Sequence, residues 1–222
     1  MHPAFSRDEL ENSYDSLLKQ ISKDLPRFEV KSKRDSLLFK ILPYITFYNR
    51  EISTRYITTL YPYVYVPSIP WNPDLPLSRL AIMAHEYVHL MDRKRLGPIF
   101  NFLYLSPQIL SLLAINATFF SNWFLLFLLF LLPIPSPGRA WLEYRGYRMT
   151  LAVWFWTTGK VPEADLVLKH FTGSGYYWMW PFEKMLKRKF ERDIARIQLG
   201  IVPEELLKVK KILDEEHGKL NT

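Results

Sequence analysis

The segment His85-Glu86-Tyr87-Val88-His89 reads HExxH. On a helix, residues four apart lie on one face, about one turn from each other. Two imidazoles at that spacing converge on one metal ion, and Zn2+ accepts nitrogen ligands. Glu86 follows the first imidazole, so its carboxylate projects beside the metal without ligating it. From there it can take a proton from an activated water, which is the working part of a zinc peptidase. Apart from Glu86, no charged residue occurs between Arg79 and Asp92, so the motif sits in an apolar helix. Two histidines and a glutamate are costly in such a setting unless paired or metal-bound. Asp74 or Ser78 is the expected cap at the start of this helix, and Gly97-Pro98 its stop, with Arg93, Lys94 and Arg95 in the last turn.

Catalytic zinc usually has three protein ligands and a water. No histidine follows closely enough to complete HExxHxxGxxH, and the absence of cysteine removes thiolate ligands and disulfides. The first acid after Asp92 is Glu143, in a stretch that reads as a helix opened by the Pro137-Gly138 turn. Glu143, Gly146, Tyr147 and Thr150 fall on one face of it. Glu143 is therefore the expected third ligand, the bland alternative being a surface carboxylate paired with Arg139 or Arg145. Gly146 would let the two helices approach closely, and Tyr147 could turn its hydroxyl to a developing oxyanion. Asp92 can hold a ligand imidazole from behind, or simply pair with Arg95 at the helix end.

On His85, Glu86, His89 and Glu143 the chain resembles the gluzincin metallopeptidases, across roughly residues 50 to 150. The membrane-embedded heat-shock and prenyl-protein proteases look similar in one further respect, the hydrophobic helices between HExxH and the glutamate. Tyr147 stands where many gluzincins carry an aspartate. The resemblance implies an α+β, mostly helical, zincin-like domain with a small sheet. It also implies zinc-dependent cleavage of peptide or protein substrates, with a strand near residues 52–66 lying along the cleft. A second His or Tyr steadying the tetrahedral intermediate would be His170 or Tyr147. The rival reading is a non-catalytic scaffold of the same fold, with zinc structural or absent.

Leu96 to Gly138 is a run of 43 residues without a charge. Its densest part is Trp123-Phe-Leu-Leu-Phe-Leu-Leu-Phe-Leu-Leu132, and membrane insertion is one reading of such a stretch. If His85, His89 and Glu143 share one zinc, the run crosses a bilayer an even number of times or not at all. Its apolar part, Ile99 to Ile134, is 36 residues, short of the ~40 that two spans require. A hydrophobic helical hairpin over 97–137, shallowly inserted or re-entrant, is expected, with burial in a soluble core as the alternative. Basic residues on both flanks favour the cytoplasmic side for both ends, and so for the active site.

The remainder reads as one domain over residues 1–222. Met1 to Asn12 is polar and acidic, unlike a signal peptide. Helices are expected over 7–25, 35–48, 163–171, 182–199 and 204–217, and strands over 52–66. The chain carries a net charge of +7, spread as +3 before the apolar run and +4 after it. With no recognised nucleic-acid module, nucleic acid is the weaker partner and membrane lipid the stronger. The basic stripe of 182–199 could lie on anionic lipid or be an ordinary solvated face. Residues 173–182 are a candidate cleft wall or interfacial loop.

Overall fold

Ser6 starts the first helix, α1 (Arg7–Asp24), with a capping box: its hydroxyl accepts from the Glu9 amide while the Glu9 carboxylate accepts from the Ser6 amide. Leu10, Leu17 and Ile21 then form its buried stripe. A computed structural model describes residues 4–40, 57–132, 134–173 and 178–219. The fold is mostly helical, with one small mixed sheet. β1 (Glu29–Ser32), β2 (Thr58–Leu60) and β3 (Tyr63–Val66) lie in the order β1-β3-β2. β1 runs parallel to β3, with Val30 opposite Val64, and β2 runs antiparallel to it, with Thr59 opposite Val64. Val64 and Val66 turn inward. Of the helix expected over 35–48, residues 37–40 are helical and 41–48 lie outside the described residues, as do 52–56 of the expected strands.

α2 (Pro76–Leu96) carries the HExxH motif. Its N-cap is Leu75, without a side-chain bond, so neither Asp74 nor Ser78 caps it. Pro76 opens the helix instead, where its missing N–H costs nothing. Gly97, at φ +58°, closes it, a backbone conformation that other L residues adopt with strain. The apolar stretch follows as α3 (Pro98–Leu105) and two 3-10 segments, Gln108–Thr118 and Asn122–Leu131, which pack on each other. α3 and the first 3-10 segment meet at 90°, across Pro107, which cannot continue a helix. No single described helix is long and apolar enough to cross a membrane. Nor is the stretch core, for Ala114 is the only buried residue in these three elements.

α4 (Pro137–Thr158) is the central helix, followed by α5 (Asp165–Thr172), α6 (Glu183–Gln198) and α7 (Glu204–Lys219). One face of α4, with Met149, Ala152 and Val153, joins a core built from α1, α2, β3 and α7. The other, with Ala140, Tyr144 and Leu151, packs on Phe171 of α5 and Phe190 of α6. Each large apolar side chain buried this way stabilises the fold by roughly 1.5–3 kcal/mol.

Asp24 ties three of these helices. It accepts hydrogen bonds from Tyr87 of α2, Gln20 of α1 and Lys208 of α7. Burial opposes its charge, but those bonds and the Lys208 ammonium outweigh burial and hold its pKa down to about 2, against 3.8 ordinarily. A depressed carboxylate stabilises the native state above its unfolded pKa, and that stability is lost as pH falls through the folded pKa. Asp24→Asn is therefore expected to melt below wild type at pH 6 and to converge with it near pH 2. Parallel thermal melts at the two pH values check this; an equal gap at both would remove the charge from the account.

Candidate metal centre

α2 and α4 pack side by side, and what lies between them depends on a missing side chain. A Cβ at Gly146 would stand 2.6 Å from Cε1 and Nε2 of His85. The imidazole occupies the space that only glycine leaves. His85 Nδ1 faces the Thr150 hydroxyl at 3.3 Å, one turn on from Gly146. The face of α4 read from the sequence is thus the one turned to the motif.

Three groups meet there. His85 Nε2 is 2.9 Å from His89 Nε2 and 3.4 Å from Glu143 Oε2, and His89 Nε2 is 3.7 Å from Glu143 Oε1. All three residues are buried. Ligands about 2.0–2.1 Å from a tetrahedral ion stand roughly 3.3 Å apart, so these separations suit one small cation. Two facing imidazole nitrogens and a buried carboxylate oxygen without a hydrogen bond, Glu143 Oε2, are the donor set such an ion uses. Zinc would be held by His85, His89 and Glu143. The donors are compatible with zinc but do not select it over other divalent ions that take imidazole and carboxylate.

These groups also act on one another. Burial works against charge on Glu143, yet the adjacent His85 and His89 imidazoles outweigh it and keep its pKa far below the ordinary carboxylate range. Burial likewise works against charge on His89, and the neighbouring Glu143 carboxylate prevails, raising the imidazole pKa. Neither Arg139 nor Arg145 pairs with Glu143. Arg139 donates to the Tyr104 carbonyl oxygen, and Arg145 binds Asp92 through two bonds of 2.8 and 3.0 Å. Asp92 is thus engaged by an arginine of α4, with Arg95 more distant at 3.6 Å. It makes no hydrogen bond to His89, whose Nδ1 has no partner. Its effect is to clamp α2 and α4 together.

α3 closes the His89 side. Its Phe100 and Tyr104, one turn apart, stack on each other and stand edge-on to the His89 ring. The Tyr104 hydroxyl donates to Glu143 Oε1 at 2.6 Å. The opposite side opens into a cleft of about 620 Å³ that reaches His85, Glu86, Tyr147 and His170. Trp71, Ile82, Trp154 and Leu166 supply much of its apolar wall. Thr59 of β2 donates to Glu86 Oε2, holding that carboxylate in the cleft lining. Tyr147 stands edge-on to His85 and stacks on His170, with ring centroids 5.0 Å apart. Burial first, then the Lys169 charge, lowers the His170 pKa and favours a neutral ring. No described residue of 173–182 lines this cleft, and 174–177 lie outside the described residues.

Thr59, Tyr104 and Arg145 were not assigned these contacts from the sequence. Thr59 and Tyr104 carry no local signal, one being in a short strand and the other inside the apolar run. Compared with protein-family models, curated proteins and solved structures, the chain matches none.

Gly146→Ala is expected to keep the helical fold but lower zinc affinity at least about tenfold, as for a misplaced ligand. His85 must move to admit the methyl group. Zinc competition against a chromogenic chelator, beside circular dichroism, checks this. Unchanged affinity would mean that the close approach is not needed for binding.

Proposed function

We propose that the chain is a zinc-dependent metalloendopeptidase with a zincin-like domain of the gluzincin type. The observation that carries this reading is the convergence of buried His85, His89 and Glu143, with Glu86 lining the adjoining cleft. A zinc ion held there supplies Lewis-acid chemistry, polarising a scissile carbonyl and lowering the pKa of water.

The chain's own residues do the rest. Glu86, held by Thr59 and excluded from the ligand set, takes the proton from the attacking water and returns it to the leaving amine. Tyr147 and His170 line the same cleft and are the donors available to an oxyanion. The apolar wall accepts substrate side chains and limits water. β2 borders Glu86 and pairs only with β3 among the described residues. An extended substrate laid along it would bind through main-chain hydrogen bonds, with little sequence preference.

The test is hydrolysis of casein or of a quenched-fluorescent peptide library by the purified, zinc-loaded chain. Cleavage that stops with a zinc chelator and returns with zinc supports the reading. Absence of cleavage would favour a scaffold that retains the site without the reaction.

A further inference from the structure

We propose that the apolar stretch 98–132 and the basic face of α6 form one surface that docks the chain on an anionic lipid bilayer, entering one leaflet without crossing it. This stands independently of peptide cleavage.

The first observation is exposure. The two 3-10 segments pack on each other and on little else, leaving apolar side chains outward. The most prominent of them stand at and beside their connecting turn: Phe119, Phe120 and Trp123 are 75, 77 and 77 % exposed. An uncovered apolar surface of this extent marks an interaction site. No charge interrupts it anywhere between Leu96 and Gly138.

Length decides the depth. Segments of 11 and 10 residues rise about 2.0 Å per residue, so each arm reaches roughly 20 Å. The hydrocarbon core is about 30 Å thick. With its headgroup region one leaflet is half of about 40–45 Å, so arms of this length fit within it and fall short of the far side. Aromatic rings at the tip and uncharged arms suit that environment.

Charge complementarity selects the lipid. The Ser136 amide, at the stretch's C-terminal foot, donates to the Met179 carbonyl oxygen at 2.8 Å. The chain then passes through Pro181 into α6, where Lys184, Arg188 and Arg192 form one row at four-residue spacing. They line a shallow groove with the exposed side chains of Phe182 and Met185, and Glu183 is the acid among them. Lys187, off that row, is paired with Asp165. A cationic row flanked by exposed apolar side chains fits phosphate headgroups above acyl chains. No residue of 98–132 lines the metal-side cleft, so docking leaves that cleft open.

The test is flotation of the full chain with vesicles of phosphatidylcholine, with and without phosphatidylglycerol. The chain is expected to float with the anionic vesicles and more weakly with the neutral ones. Phe119→Ser, Phe120→Ser and Trp123→Ser together should lower partitioning more than about 100-fold. These side chains are outside the core, so an unchanged circular dichroism melt verifies folding. Lys184→Gln, Arg188→Gln and Arg192→Gln together should cost about 100-fold on anionic vesicles and little on neutral ones. A dye on a single cysteine, Phe120→Cys, should be shielded from quenchers both outside and inside the vesicle. Glu86→Gln should dock as wild type, which separates docking from cleavage. The proposal is overturned if the chain sinks with or without vesicles, or if neither triple variant changes its flotation. Quenching from the vesicle interior, showing a span, would overturn it too. So would a lipid-free dimer that the tip substitutions dissociate, since a second copy would then cover the surface.

Discussion

Glu86→Gln is expected to retain the fold and the bound zinc while losing about 10²–10⁴-fold in peptidase activity, the range a general base contributes. The substitution preserves shape, and the amide oxygen still accepts from Thr59. It removes only the capacity to take a proton. Glu86 is absent from the group of ligand atoms around His85, His89 and Glu143, so zinc content should not follow activity down. The check is zinc content by mass spectrometry beside the hydrolysis rate for both proteins. Activity near wild type would take Glu86 out of the mechanism. Loss of zinc with activity would make it a ligand or a support of one.

Glu143→Ala is expected to lower zinc affinity by more than about 100-fold, beyond the loss typical of an outer-shell partner. Its carboxylate is buried beside the two imidazoles and accepts from the Tyr104 hydroxyl. Truncation leaves two nitrogen ligands and an empty space. Glu163→Ala and Asp165→Ala are the controls: both residues are exposed, and Asp165 serves a surface pair with Lys187. Zinc competition titrations of the three variants decide the matter. Zinc retained by Glu143→Ala and lost from a control would refute the ligand assignment.

Much of the ligand geometry was legible because it follows helical spacing. His85 and His89 lie one turn apart on α2, and Glu143, Gly146, Tyr147 and Thr150 recur on one face of α4. Local chemistry also marked ends, as at Gly97. At the other end of α2, Pro76 opens the helix where a polar cap was expected at Asp74 or Ser78. Contacts set by the tertiary fold were not legible. The two charges in Glu29-Val-Lys-Ser32 hide β1, whose partner β3 lies more than 30 residues away. Spacing offered Asp92 the nearby Arg95, whereas packing of α2 on α4 gives it Arg145. Hydropathy marked 97–137 as apolar but could not reveal its shape. A 90° bend across Pro107 sets α3 apart from the two packed 3-10 segments, and inside that run Tyr104 gains a polar task beside Glu143.

The central claim is a single zinc site that runs hydrolysis. It is tested most directly by adding zinc stepwise to the metal-free chain while peptide cleavage is followed. The account predicts no cleavage without metal and a rise that levels off at one zinc per chain. Cleavage indifferent to zinc, or one tightly bound zinc with no cleavage of casein or any library peptide, would contradict it.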